Sequence, residues 1–265
     1  MGRQQSIEAL LAETHRGIVP IRKVFVQQGH GRTTRPGPLA TFLRSHDDRG
    51  LEAYLFLHAM ASAAAPYNCV LSSGVWVRVL GLAQNAELRS ARGAVSKIMK
   101  RLADRKLVER SRTGRKANLA LLCEDGSKTK YERLLGKSKF DRWLQLPHAY
   151  WLEGHYTELN LPAKVILLIA LSLDDGFPLP QDRAWDWYGI SADSADEGLR
   201  ELVNKGLLRR EYHWEDSSRS DTGWTKRYTY TPIGSFSKAE RKKASVSRRP
   251  QHDDIIDLDE SEDAT

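Results

Sequence analysis

Long apolar runs are missing from this sequence: the longest, Val165 to Leu171, has seven residues. Even carried through Ser172 to Leu173 it falls far short of the roughly 20 residues that span a bilayer. No membrane anchor is therefore expected. Cysteine is scarce, with Cys69 and Cys123 the only two and no Cys-x-x-Cys pair. Met1 to Ala12 lacks the charged region, apolar core and cleavage site of a secretory signal, so a cytoplasmic location with reduced thiols is expected. Signatures of catalysis are absent too. There is no His-Glu-x-x-His helix, no Gly-x-Ser-x-Gly elbow and no histidine pair flanking one apolar residue. Gly136-Lys137-Ser138 echoes the end of a phosphate-binding loop, but Tyr131 stands where the leading glycine belongs and no strong apolar strand precedes it. The chain reads as a non-enzyme with no cofactor and no metal.

Positive charge, by contrast, is plentiful and unevenly placed. The net charge over 265 residues is +7. The stretch after Arg249 carries Asp253, Asp254, Asp257, Asp259, Glu260, Glu262 and Asp263 with no Lys or Arg, so taking these seven carboxylates away leaves a body at +14. A body this basic calls for a polyanionic partner. The tail reads as a solvated, disordered acidic segment. Its alternation Asp254-Ile255-Ile256-Asp257-Leu258-Asp259 suits either docking in a basic, apolar groove of a protein partner or folding back on the basic body.

Periodicity supplies the elements. Ser6 to Glu13 is a short helical candidate, and the turn-rich passage Gly29 to Pro38, with His30, Arg32, Arg35 and Pro36, reads as a linker or arm. From Leu51 to Ala64, Leu51, Tyr54, Leu55, His58 and Ser62 fall on one side of a helix with Phe56, Leu57 and Met60 flanking, so most of it must be buried. His58 is read as a core histidine, since no Cys, Asp or Glu lies around it at metal-ligand spacing. A second helix begins near Ser72 or Ser73 and stops near Gly81. A third starts at about Ser90, with Ala91, Val95, Ile98, Met99 and Leu102 facing inward. Leu107 to Glu109 and Asn118 to Leu122 read as short strands joined by a basic turn. Three helices and a basic hairpin make a winged helix.

The pattern then recurs at an offset of one hundred: Arg101-Leu102-Ala103-Asp104-Arg105-Lys106-Leu107 aligns with Glu201-Leu202-Val203-Asn204-Lys205-Gly206-Leu207. Leu161 to Leu173 matches the first buried helix and Gln181 to Tyr188 the second. Leu207 to Trp214 and Arg227 to Thr231 match the strands, with Glu215 to Lys226 as a longer loop. Phe140, Trp143, Leu144, Leu146, Tyr150 and Trp151 cluster around Pro147; they are read as closing the second core, with base stacking as the alternative. The expected architecture is mainly α with small β-hairpins, in two tandem winged-helix units. Residues 1–38 form a flexible N-terminal arm, 39–123 the first winged-helix unit, 124–139 a linker, 140–236 the second unit, and 237–265 a basic then acidic disordered tail.

The run Ala94-Val95-Ser96-Lys97-Ile98-Met99-Lys100-Arg101-Leu102, continuing to Arg110 and followed by Gly114-Arg115-Lys116, resembles the recognition helix and wing of bacterial winged-helix regulators of the MarR and GntR types. Those families usually hold glycine where Lys106 stands; Gly206 keeps it in the second unit. Two such units in one chain are similar in arrangement to plasmid replication initiators. The resemblance implies double-stranded DNA as partner, in a sequence-specific transcription regulator or an initiator that binds origin repeats. An adaptor for protein interactions, built on winged helices that no longer bind DNA, is the remaining alternative.

A 100° advance per residue from the Val95 and Leu102 side puts Arg89, Gly93, Ser96, Lys97 and Lys100 on the opposite side of the third helix. Between Leu88 and Lys116, eleven Lys or Arg meet Asp104 and Glu109, a net +9. The expected DNA contacts are Arg89, Arg92, Gly93, Ser96, Lys97, Lys100, Arg101, Arg110, Arg112, Arg115 and Lys116, with cations neutralising phosphates and Ser96, Arg89 or Lys97 within reach of base edges. In the second unit the aligned face carries Asp193, Glu197, Arg200, Glu201 and Asn204, and Ser191 to Tyr230 has a net −1. That face would be repelled by a groove, so it is expected to hold a protein partner or a second copy of the chain.

Overall fold

The computed structural model describes residues 2–246 except 15, 30–32, 83–87, 115, 135–137 and 139. Within them the chain is 47% helix with small antiparallel sheets amounting to 22%. In chain order the elements are α1 (Arg3–Ala12), β1 (Ile18–Arg22), β2 (Gln27–Gln28), β3 (Arg35–Pro36), α2 (Leu39–Arg44) and α3 (Asp48–Met60). Next come β4 (Asn68–Leu71), α4 (Ser73–Val79), α5 (Leu88–Asp104), β5 (Val108–Thr113), β6 (Lys116–Leu121) and β7 (Trp143–Pro147). The remainder comprises α6 (Ala149–Leu152), α7 (His155–Glu158), α8 (Leu161–Ser172), α9 (Gln181–Tyr188), α10 (Ala192–Asn204), β8 (Leu208–Asp216), β9 (Trp224–Pro232) and α11 (Lys238–Val246).

Local chemistry sets the boundaries. The Asp47 carboxylate accepts from the backbone N–H of Gly50 at the start of α3, the Ser72 hydroxyl from Val75 at α4, and the Asn160 side chain from Ala163 at α8. At the far end of α5, Lys106 lies at φ 60°, with its N–H donating to Ala103 and that of Leu107 to Leu102. Gly206 repeats this left-handed stop at φ 70°, with donation to Val203 and from Leu207 to Leu202.

The order of helix, helix, helix and hairpin occurs twice. In the first run, α3, α4 and α5 are followed by a three-stranded sheet of order β4-β6-β5. In the second, α8, α9 and α10 are followed by the β8–β9 pair, and a single bridge from Phe177 to Tyr230 stands where β4 meets β6 in the first. Ala91, Val95, Ile98, Met99 and Leu102 of α5 are buried, as are Ala195, Gly198, Leu199 and Leu202 of α10. Gly198 is required where it stands: a Cβ there would meet the Pro162 carbonyl oxygen of α8 at 2.7 Å.

Several expected boundaries are corrected. The described residues of 1–38 are not a flexible arm, because Ile7, Leu11, Val19, Ile21 and Phe25 are buried and β1 pairs antiparallel with β7, from Ile18↔Pro147 to Arg22↔Trp143. His30 and Arg32 lie outside the described residues, while Arg35 and Pro36 form β3 against β2. Nor is 124–139 a simple linker: fully buried Glu124 accepts from the Arg22 guanidinium at 2.7 Å and from its backbone N–H at 3.0 Å. The C-terminal segment begins with a helix, α11, whose Arg241 is buried. The acidic stretch after Arg249 lies outside the described residues.

The two cores are also continuous rather than separate. One cluster of buried apolar side chains runs from Ile7 to Phe236 and includes both long central helices, α3 and α8. Between these helices Lys164, 3% exposed, reaches Asp48 at 2.7 Å and Glu52 at 3.0 Å. Tyr150 donates to the same Glu52 carboxylate. Burial pushes the Glu52 carboxyl above its ordinary value. For Lys164 burial works against the charge, but the two carboxylates outweigh it and hold the ammonium above its usual range. The aromatic cluster around Pro147 joins the halves: Trp151 lies edge-on to Phe56 of α3 at 6.0 Å, and Phe140 remains exposed.

Candidate nucleic-acid interface

Helix α5 is strongly two-sided. Its inward stripe packs on α3 and α4, and its outward positions Arg89, Arg92, Gly93, Ser96, Lys97 and Lys100 lie toward solvent. A Cβ added at Gly93 would meet nothing within 4 Å, so this side of the helix is open to close approach by a ligand surface.

The hairpin extends that surface. Cross-strand pairing sets Val108 opposite Leu121, Arg110 opposite Leu119 and Arg112 opposite Ala117. Buried Val108, Leu119 and Leu121 fix this side as the one toward the core, and strand alternation carries Arg110 and Arg112 onto it. A groove results between α5 and the hairpin, lined by Ser73, Arg92, Ser96, Arg110, Ser111 and Arg112 above an apolar floor of Val95, Met99 and Leu119. Of the expected helix residues, Arg92 and Ser96 share the groove with Arg110 and Arg112. Lys116 pairs with Thr113 and lies on the other side of the hairpin. Gly114, at φ 60°, forms the tip; Arg115 lies outside the described residues.

Arg101 departs from expectation. Its guanidinium donates twice to Asp47, at 2.6 and 2.9 Å, and Arg105 donates to the same carboxylate at 2.6 Å. Burial alone would raise the Asp47 pKa, but the hydrogen bonds from Arg101 and Arg105 bring it below its ordinary value. Arg101 therefore ties the last turn of α5 to the cap of α3 and is withdrawn from the set of free cations. Among the described residues Lys100 is held only by Asp104, four residues on, with both partners exposed. A pair of that kind contributes about 0.3–0.5 kcal/mol and yields readily to a phosphate.

Comparison with known proteins gives no family. No protein-family model, curated protein or solved structure matches the chain. The residues themselves carry the functional argument.

The aligned face of α10 is built differently. Glu201 accepts from the backbone N–H of Asn160 at 3.0 Å and Glu197 from its side chain at 2.8 Å, while Arg200 pairs with Asp196. Two of the carboxylates are thus engaged with the start of α8, and Arg200, the cation of the helix, is taken up by Asp196. Elsewhere, His58 is buried in the core. Among the described residues no group of three or more His, Cys, Asp or Glu could hold a metal ion, and no helix is long and apolar enough to cross a membrane. Burial pushes the Cys69 thiol up to about 12 and, with smaller effects from Asp125, that of Cys123 to about 11. Ser73, read from sequence only as a candidate start of the second helix, and Ser111 were not among the expected contacts, yet both line the groove in the fold.

Proposed function

We propose that this chain binds double-stranded DNA through a winged helix-turn-helix unit, with α5 entering the major groove and the β5–β6 hairpin as the wing. The observation that carries this reading is the groove in which Arg92 and Ser96 of the helix face Arg110 and Arg112 of the hairpin, beside outward Arg89, Lys97 and Lys100. Cations on two elements around one cleft follow the phosphates on both sides of a groove, and a serine and a glycine between them let the helix approach base edges. In this reading the chain is a sequence-specific transcription regulator and has no catalytic role. The acidic outward face of α10 suits a protein surface, including that of a second copy of the chain, better than a groove.

The recurrence of the element order in α8–β9 favours a second reading, an initiator of plasmid or mobile-element replication that binds repeated origin sites. Recovery of genomic fragments bound by the full chain tests both. A regulator enriches fragments with one site beside a promoter; an initiator enriches arrays of short direct repeats. Recovery of fragments at random, with no enriched site, would remove sequence-specific binding.

A further inference from the structure

The β8–β9 pair is a bare ribbon. Its nine residue pairs run from Leu208↔Pro232 to Asp216↔Trp224, and only the root residues Leu208, Tyr230 and Pro232 are buried. At about 3.4 Å per residue it reaches roughly 27 Å. Strand alternation sorts its side chains into two unlike faces. On one face, Arg210, Tyr212 and Trp214 of β8 lie beside Tyr228, Lys226 and Trp224 of β9. Tyr212, Trp214, Trp224 and Tyr228 are 55, 56, 53 and 40% exposed. Lys226 lies 4.7 Å from the Tyr212 ring centre and 5.1 Å from that of Trp214, and Arg210 lies 5.1 Å from that of Tyr228.

The other face takes most of the acidic charge. Glu211 pairs with Arg209 at 3.3 Å, and Glu215 with Arg227 at 2.7 Å and with His213 at 3.0 Å. Asp216, at the outer end, is the carboxylate left on the aromatic side among the described strand residues. Cross-strand aromatic pairs stabilise a hairpin by roughly 0.2–1 kcal/mol each. That contribution does not account for two tryptophans left more than half in water, nor for the sorting of carboxylates to the opposite side.

The geometry points to this aromatic and cationic face as a binding surface for single-stranded DNA. Bases of a single strand offer free π-faces to the four rings, and Arg210 and Lys226 are placed to meet phosphates between them. In a duplex those base faces are covered by neighbouring base pairs. The site is separate from the α5 groove, so it stands or falls independently of the proposed duplex binding.

The test uses the full chain with a fluorescent oligothymidylate and, in parallel, a duplex of equal length. Removing two rings by Tyr212→Ala with Trp214→Ala should weaken single-strand binding by roughly thirtyfold or more while duplex binding holds. Tyr212→Phe with Trp214→Phe, which keeps the π-faces, should retain it, and circular dichroism establishes that both variants are folded. Lys226→Ala should reduce the single-strand log-log salt slope by about 0.7. The α5 variant Lys97→Ala with Lys100→Ala should leave single-strand binding intact, which separates this site from the other. The inference is overturned if the parent chain does not bind the oligothymidylate, if the double alanine variant binds it unchanged, or if that variant only dissolves a dimer of the chain.

Discussion

One identifiable part of the acid sensitivity of this fold should come from His58. It is 3% exposed on α3, lies edge-on to Tyr54 at 4.7 Å, and its Nε2 has no hydrogen-bond partner among the described residues. Burial first, then the positive charges of Arg22 and Arg16, bring its pKa from 6.5 down to about 3. Between those two values the unfolded chain binds a proton that the folded chain refuses. Stability is therefore complete above the unfolded value and falls as pH drops, by about 1.4 kcal/mol per unit once well below it. From pH 7 to pH 5 the loss assigned to this group is about 2 kcal/mol. Urea unfolding of the parent and of His58→Phe at both pH values measures it. Because Glu52, Glu124 and the other carboxyls titrate alike in both chains, the difference isolates His58. The variant should lose about 2 kcal/mol less on acidification. Equal losses in the two chains would refute the assignment of His58 as a neutral core residue.

Other consequences follow from single positions. Lys106→Gly removes a side chain from a left-handed residue at φ 60° and should stabilise the chain by about 1 kcal/mol in urea unfolding, with Gly206→Lys shifting it as much the other way. Arg101→Ala should lower stability yet leave the salt slope of duplex binding unchanged, since its guanidinium is held by Asp47; a slope reduced by about 1 would return it to the interface. Deleting the residues after Arg249 should strengthen non-specific DNA binding at low salt, because seven carboxylates compete with phosphate for the basic body. Unchanged or weaker binding would remove the fold-back role of the tail.

Much of the helical framework was legible because burial leaves a period in sequence. The stripe Ala91, Val95, Ile98, Met99 and Leu102 located α5, and the bounds of α9 coincide with the expected Gln181 to Tyr188. The left-handed stop at Lys106 was visible through the glycine that the resembled families hold there and through its alignment with Gly206. What was missed depends on long-range pairing. Two-residue strands such as β2, and β1, which meets β7 more than a hundred residues later, have too little local pattern to read. The anchoring role of Asp47 has no local signal, because its partners Arg101 and Arg105 lie more than fifty residues along the chain. At the interface, helical rotation sufficed to find the outward residues of α5. Arg101 entered the expected contacts only as one of the cations between Leu88 and Lys116, and it is withdrawn because its turn sits beside the α3 cap, where Asp47 holds it. The β8–β9 aromatics alternate at period two from Arg210 to Trp214. The expected second strand began only at Arg227, which hid the aromatic face, because the pairing runs on to Trp224.

The central claim, that α5 is the duplex-reading element, rests most directly on Lys97→Ala with Lys100→Ala, compared with Arg200→Ala with Asn204→Ala at the aligned positions of α10. Alanine favours helix, so both chains should fold. Titration of the enriched duplex at several salt concentrations should show specific binding abolished in the α5 variant. Its slope should shrink by about 1 for each phosphate no longer neutralised, or its affinity for the preferred site should fall by roughly 1–3 kcal/mol if one of the lysines reads a base. The α10 variant should bind nearly as the parent does. Loss of binding in the α10 variant with retention in the α5 variant would contradict the account.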